Sequence, residues 1–220
     1  MAAPAEQFVI TRKRKKYKFA KFNEFDNCFE AYEFLQQSSN YLKHAKKIVV
    51  ELGAGTARFL VAQARLHPTT LFIAIDLKSD RLYAGAKHAL EQKFDNIIFV
   101  RANADQLFEL MNKKRIDELW LTFSDPYPKK RHIKHRMTHP KFLRIYKNLL
   151  KKDGVLHFKT DNHQLFDWSL EQLVSYGGKI SNLTFDLHTS HLPAHYKIMT
   201  AYEQRFVSQG QPIYQVDVRF

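Results

Sequence analysis

A single cysteine, Cys28, is all the thiol this chain carries. That excludes an intrachain disulfide framework and any zinc site built on paired cysteines. Glycine is scarce as well, with 7 in 220 residues, roughly half the usual frequency. Acidic residues are outnumbered, 22 against 35 Lys+Arg, which leaves a net charge of +13. No apolar run approaches the roughly 18 residues needed to span a bilayer, and no apolar leader core follows the N-terminus. The expectation is a cytoplasmic protein. Its charge attracts polyanions: nucleic acid, anionic membrane or acidic protein.

What is present is a folding composition, 45% hydrophobic and 14% aromatic, ample for a buried core. Residues 1–22 hold Arg12, Lys13, Arg14, Lys15, Lys16, Lys18 and Lys21 with little apolar periodicity. They read as a flexible basic arm ahead of a single domain over 23–220. Residues 25–44 read as one helix. From Lys47 onward, short β-branched runs alternate with helical segments. The strands predicted are Ile48–Leu52, Leu71–Asp76, Ile97–Arg101, Glu118–Phe123 and Val155–Lys159. The helices between them are predicted near Arg58–Leu66, Asp80–Lys93, Ala104–Met111 and Pro140–Leu150. Ser79 reads as an N-cap and Gly154 as a C-terminal cap. A further helix to Tyr176 and two last strands, near Ile180–Leu187 and Ile213–Phe220, complete a mostly parallel seven-stranded α/β sheet with helices on both faces.

Two of the few glycines, Gly53 and Gly55, follow the first strand in Glu51-Leu52-Gly53-Ala54-Gly55-Thr56-Ala57. Glycine there permits a sharp turn and close approach of a ligand. A tight βα turn is the plain alternative. Asp76 ends the next strand about 20 residues on, the spacing at which a carboxylate meets ribose hydroxyls. The third glycine of a dinucleotide loop is missing, and Glu51 would repel a pyrophosphate. A cationic ligand such as S-adenosylmethionine fits that carboxylate better than NAD does. Asn103, after the third strand, is placed to meet an adenine edge or simply to stabilise its loop; Asp105 competes for the role.

The most unusual stretch is Ser124-Asp125-Pro126-Tyr127-Pro128-Lys129-Lys130-Arg131-His132-Ile133-Lys134-His135-Arg136. It leaves the fourth strand where open α/β sheets bind ligands, so Asp125 is expected beside the cofactor. The basic run behind a Pro-Tyr-Pro brace is expected at substrate phosphates rather than as a solvated face.

Asp125-Pro126-Tyr127-Pro128-Lys129-Lys130-Arg131-His132, Arg136-Met137-Thr138, His157-Phe158-Lys159-Thr160-Asp161 and Thr200-Ala201-Tyr202-Glu203 together resemble the motifs of the bacterial tRNA (guanine-N7-)-methyltransferases, the TrmB family. The resemblance runs in order from about Val49 to Gly210. It departs at Tyr127, where that family usually has Trp, and at Thr56-Ala57, where it has Gly-Lys-Gly. The resemblance implies a Rossmann-like class I fold, S-adenosyl-L-methionine as cofactor, no metal, and methyl transfer to N7 of guanine-46 in the tRNA variable loop. It implies cofactor contacts at Glu51, Gly53, Asp76, Asn103 and Asp125, with Gly55 added by the loop reading. It places guanine or nearby RNA at Lys129, Asp161, Thr200 and Glu203, and the RNA backbone at Arg131, His132, Lys134, His135 and Arg136. Asp161 and Thr200 also suit helix N-caps. Because guanine N7 has no proton to lose, Asp125 is expected to stabilise charge rather than act as a base. Two readings compete: an adenine amino-methyltransferase, since Ser124-Asp125-Pro126-Tyr127 resembles an Asp-Pro-Pro-Tyr motif, and a non-enzymatic RNA-binding protein on a methyltransferase scaffold.

Overall fold

The computed structural model describes residues 12–111 and 115–220. Its centre is one eight-stranded sheet with strand order β1-β4-β3-β2-β5-β6-β8-β7. The strands are β1 (Cys28–Glu30), β2 (Ile48–Leu52), β3 (Leu71–Asp76), β4 (Ile97–Arg101), β5 (Ile116–Thr122), β6 (Leu150–Thr160), β7 (Lys179–Thr184) and β8 (Tyr214–Arg219). The first six run parallel; β8 is antiparallel to both β6 and β7. Among the described residues the sheet therefore has eight strands, one more than expected. The extra strand is β1, three residues paired with β4 inside the segment read as a single helix. Three residues carry no readable period, and only the pairing defines them.

The helices are α1 (Arg12–Phe22), α2 (Ala31–Leu42), α3 (Arg58–Leu66), α4 (Ser79–Glu91), α5 (Leu107–Met111), α6 (Pro140–Leu149), α7 (His163–Ser175) and α8 (Ala201–Val207). Helices α2, α5, α6 and α7 send Phe34, Leu107, Leu110, Phe142, Tyr146 and Phe166 into a core on one face of the sheet. On the other face α1, α3 and α4 contribute Phe22, Phe59, Leu60, Leu82 and Ala86, joined by Leu187, Tyr196 and Ile213 from the segments flanking α8. β2 is buried along its whole length, as a parallel strand covered on both faces must be.

The basic stretch at the N-terminus is helical from Arg12 and lies against α4. Its last residue, Phe22, is fully buried, so this half is docked rather than a free arm. Residues 1–11 lie outside the described residues. Other local expectations shift by a residue or a role. Lys78, not Ser79, is the N-cap of α4, and the side chain capping α7 is Asn162, which accepts from Leu165 N–H, not Asp161. Gly154 lies within β6, not at a helix end. A Cβ there would stand 2.9 Å from the Ile116 carbonyl oxygen; glycine lets β6 bend back to β5 past the register shift between Ile116 and Glu118.

Candidate active site

Strand order reverses between β2 and β5, and the carboxyl ends of parallel strands at such a switch point form a ligand crevice. Both unusual sequence stretches leave the sheet there. At the β2 end, Gly53 and Gly55 take positive φ of 71° and 55°. A Cβ at either would meet no protein atom within 4 Å, so the loop presents bare backbone to open space. Gly53 and Ala54 N–H donate to the Ile75 carbonyl, and Gly55 N–H donates to Asp76 Oδ2 at 2.9 Å. Lys78 N–H donates to Asp76 Oδ1 at 2.8 Å. Asp76 thus ties the glycine loop to the start of α4 while retaining free lone pairs.

Glu51 is 1% exposed. Its Oε1 accepts from the Thr122 hydroxyl at 2.6 Å across the switch point, and its Oε2 has no partner. Burial pushes this carboxyl up to about 7; the Thr122 hydrogen bond and the Lys159 charge pull it down, and Asp76 raises it further. A buried carboxylate with one unpartnered oxygen beside an open glycine cradle is a site made for a cation.

Past β5 the backbone is strained on purpose. Phe123 and Tyr127, neither of them glycine, hold φ of 52° and 42°, conformations costing about 1–2 kcal/mol each. Asp125 stands between them, exposed. Arg136 supplies the restraint: Nε donates to the Pro126 carbonyl at 2.9 Å, Nη2 to the Tyr127 carbonyl at 3.3 Å, and the guanidinium lies 4.6 Å from the Trp168 ring. At 8% exposure Arg136 is not an RNA-facing charge, contrary to expectation. Loop carbonyls without a strand partner needed a donor, and its planar fork fills that need. Lys129, Lys130, Arg131, Lys134 and His135 are exposed, and His132 is half-buried. They lie on or beside one 3-10 turn over Lys130–His135, with Tyr127 packed near His132 and His135.

At the β6 end Asp161 is half-buried. Burial lifts its carboxyl above the ordinary value, against its own backbone N–H and the Tyr202 hydroxyl. Tyr202, missing from the sequence-predicted site, reaches in from α8: its ring packs 5.4 Å from Phe123, and burial first, then the charges of Asp161 and Asp125, raise its phenol. Only its place in the Thr200–Glu203 motif hinted at it. Thr200 and Glu203 form a capping box at the start of α8. Glu203 is fully buried and saturated by Lys159, His188 and Thr200 N–H, which leaves it a structural carboxylate beneath the crevice rather than a free ligand group.

Asn103 sits on the β4 side. Its Oδ1 accepts from Asp105 N–H at 3.4 Å, the loop-stabilising role, and it also lines a shallow pocket with Leu77, Arg101 and Gln106 beyond Asp76. Asp105 instead pairs with Lys141. A second cavity, at the amino ends of the central strands among Lys47, Gln63, Thr70, Glu118, Trp120 and His195, contains none of the predicted site residues. Among the described residues no cluster suits a metal ion, and no described helix is long and apolar enough to cross a membrane.

A doubly wound sheet with this glycine cradle and ring of carboxylates defines a Rossmann-like class I methyltransferase, whose cofactor is S-adenosyl-L-methionine. Solved structures agree on the fold: a 16S rRNA methyltransferase, KamB, superposes with TM-score 0.64 at 14% identity over 84% of this chain and 93% of that one. A 16S rRNA (adenine(1408)-N(1))-methyltransferase from Catenulisporales acidiphilia, solved with cosubstrate SAM, gives 0.60 at 13% over 84% and 90%. The family described as putative methyltransferase matches residues 45–216. The tRNA (guanine-N(7)-)-methyltransferase of Brevibacillus brevis is 43% identical over 170 residues, 77% of this chain and 79% of its own. That of Macrococcus caseolyticus is 36% identical over 181 residues, 82% and 85%. The chain belongs to the tRNA (guanine-N7-)-methyltransferase family.

Proposed function

We propose that this protein is a cytoplasmic enzyme that methylates N7 of guanosine in tRNA, at guanine-46 of the variable loop. The observation that carries the reading is that Glu51, Asp76, Asp125 and Asp161 stand at or just beyond the carboxyl ends of the neighbouring strands β2, β3, β5 and β6, with an exposed basic turn following Asp125. The names of its curated relatives supply the substrate class.

When bound, S-adenosyl-L-methionine supplies an electrophilic methyl group on a sulfonium. The chain's residues fit that ligand. Glu51, with its unpartnered buried oxygen, would face a cationic group, and the open backbone at Gly53 and Gly55 would admit it closely. Asp76 keeps lone pairs for hydroxyls. Guanine N7 has an in-plane lone pair and no proton, so Asp125 and Asp161 have none to remove. Their task is to accept from the N1 and N2 hydrogens of guanine and to stabilise the positive charge that the purine gains. Asp125 is fixed by the Arg136 brace, so alignment is set before substrate arrives. Lys129, Lys130, Arg131, Lys134 and His135 would hold phosphates of the folded RNA. Glu203 and Thr200 serve by setting the start of α8, which carries Tyr202 to the crevice.

The test is incubation of the purified protein with labelled S-adenosyl-L-methionine and unmodified tRNA transcript, followed by nucleoside analysis. Label in N7-methylguanosine is expected, and a transcript with adenine in place of guanine-46 should take up none. Label in a methyladenosine would overturn the base assignment, and label persisting in the substituted transcript would overturn the position.

A further inference from the structure

Beneath the crevice lies a fully buried ammonium that the reaction as described does not use. Lys159 Nζ, 0% exposed, is held by Glu203 Oε1 and Oε2 at 3.1 and 2.9 Å and by the carbonyls of Tyr196 and Ile198. The rings of Phe59 and Phe123 stand 4.9 and 5.6 Å away. Its strand partner is Thr122, the residue that donates to Glu51. A chain of buried polar groups therefore runs from Glu51 on β2, through Thr122 on β5 and Lys159 on β6, to Glu203 on α8, with His188 2.9 Å from Glu203 Oε1 at its far end.

Desolvating an ammonium this completely is costly, and a structural tie could be made more cheaply with apolar packing. Its place between two carboxylates says more. Glu203 touches it directly; Glu51 lacks a direct contact but feels its charge. The charged or titratable groups facing Glu51 are Lys159 and Asp76, with Thr122 its hydrogen-bond donor. Those facing Lys159 are Glu203 and Glu51.

We infer that Lys159 is a positioning residue serving both halves of the crevice: its charge offsets the buried Glu51 carboxylate on the cofactor side, and its contact with Glu203 fixes the start of α8 and Tyr202 on the substrate side. One buried cation thereby links the two subsites. Without it, Glu51 would keep its proton to higher pH and present a neutral group to a cationic ligand, while α8 would lose its anchor.

This inference rests on S-adenosyl-L-methionine being the ligand beside Glu51. The experiment is calorimetric titration of the purified full chain with S-adenosyl-L-methionine between pH 6 and 9, for wild type, Lys159→Met and the double variant Lys159→Met/Glu203→Gln. The double variant removes both charges of the pair, so it escapes the unpaired buried carboxylate that threatens folding of the single one. In both variants the pH at which binding reaches half its alkaline value should rise by about one unit, and affinity at pH 7, near the wild-type midpoint, should fall about fivefold. A double variant that melts as a folded protein yet keeps the wild-type pH profile would reduce Lys159 to a structural tie. Failure of the wild type to bind at any pH would overturn the cofactor reading itself.

Discussion

Under the proposed reading, Glu51 is a residue placed for binding a cation at a cost to the stability of the fold: it is 1% exposed and its Oε2 has no partner. Its carboxyl titrates near 4.5 when unfolded and about 7 when buried, so between those values the folded state holds a proton that the unfolded state has released. Stability is complete below the unfolded value, falls as pH rises through 7, and stays reduced above it, by about 3 kcal/mol if the whole shift is expressed. A cationic ligand removes this deficit. Glu51→Gln should therefore raise the thermal stability of the ligand-free protein at pH 8, by about 1–3 kcal/mol, and change it little at pH 5. It should also weaken S-adenosyl-L-methionine binding at pH 8. Melting curves at the two pH values check it, and equal gains at both would show that charge burial is not the cause. What spacing made legible is the placement of Glu51, Gly53, Asp76 and Asp125 at or just past the carboxyl ends of neighbouring strands. The roles of Glu203 and Arg136 were not legible. Nothing in a sequence says that a carboxylate is saturated by a lysine 44 positions away or that an arginine points back at its own loop.

At the scale of elements, Gly85 holds α4 against the glycine loop. It lies mid-helix, where alanine is ordinarily favoured by about 1 kcal/mol. A Cβ there would come within 2.5 Å of the Thr56 carbonyl oxygen, 3.1 Å of Phe99 and 3.2 Å of Ala57. Since the first of these is backbone, the loop or the helix has to move. Gly85→Ala should lower stability by about 1–3 kcal/mol despite the propensity gain, and weaken cofactor binding by displacing Thr56 and its glycines. Chemical denaturation with a parallel binding titration checks both; a stabilised variant would show that the helix can back away freely. Strands were read best where both faces are buried: β2, β3 and β4 fall on their predicted boundaries, because continuous apolar runs bounded by turn residues leave little choice. β1 and the first residues of β6 escaped because pairing with a distant strand, not local pattern, defines them.

For the molecule as a whole, the net charge of +13 predicts salt-sensitive binding of tRNA, since every neutralised phosphate releases counterions. The structure decides which charges to remove. Deleting residues 1–22 would strip α1 from α4 and remove the buried Phe22, so weaker binding could reflect impaired folding. The 3-10 turn is cleaner, because Lys130, Arg131 and Lys134 are exposed and free of carboxylate partners among the described ion pairs. Their combined replacement by Gln should flatten the plot of log affinity against log salt by roughly one unit for each phosphate no longer neutralised, with S-adenosyl-L-methionine binding unchanged. Arg136→Gln should do the reverse. Its guanidinium faces the Pro126 and Tyr127 carbonyls, not solvent, so the salt slope should hold while methyl transfer falls at least about tenfold as Asp125 loses its fixed position. Filter-binding titrations across a salt series, paired with single-turnover transfer, separate the two. If Arg136→Gln flattened the slope as the turn variants do, the brace would have to open in the complex and turn its arginine toward RNA.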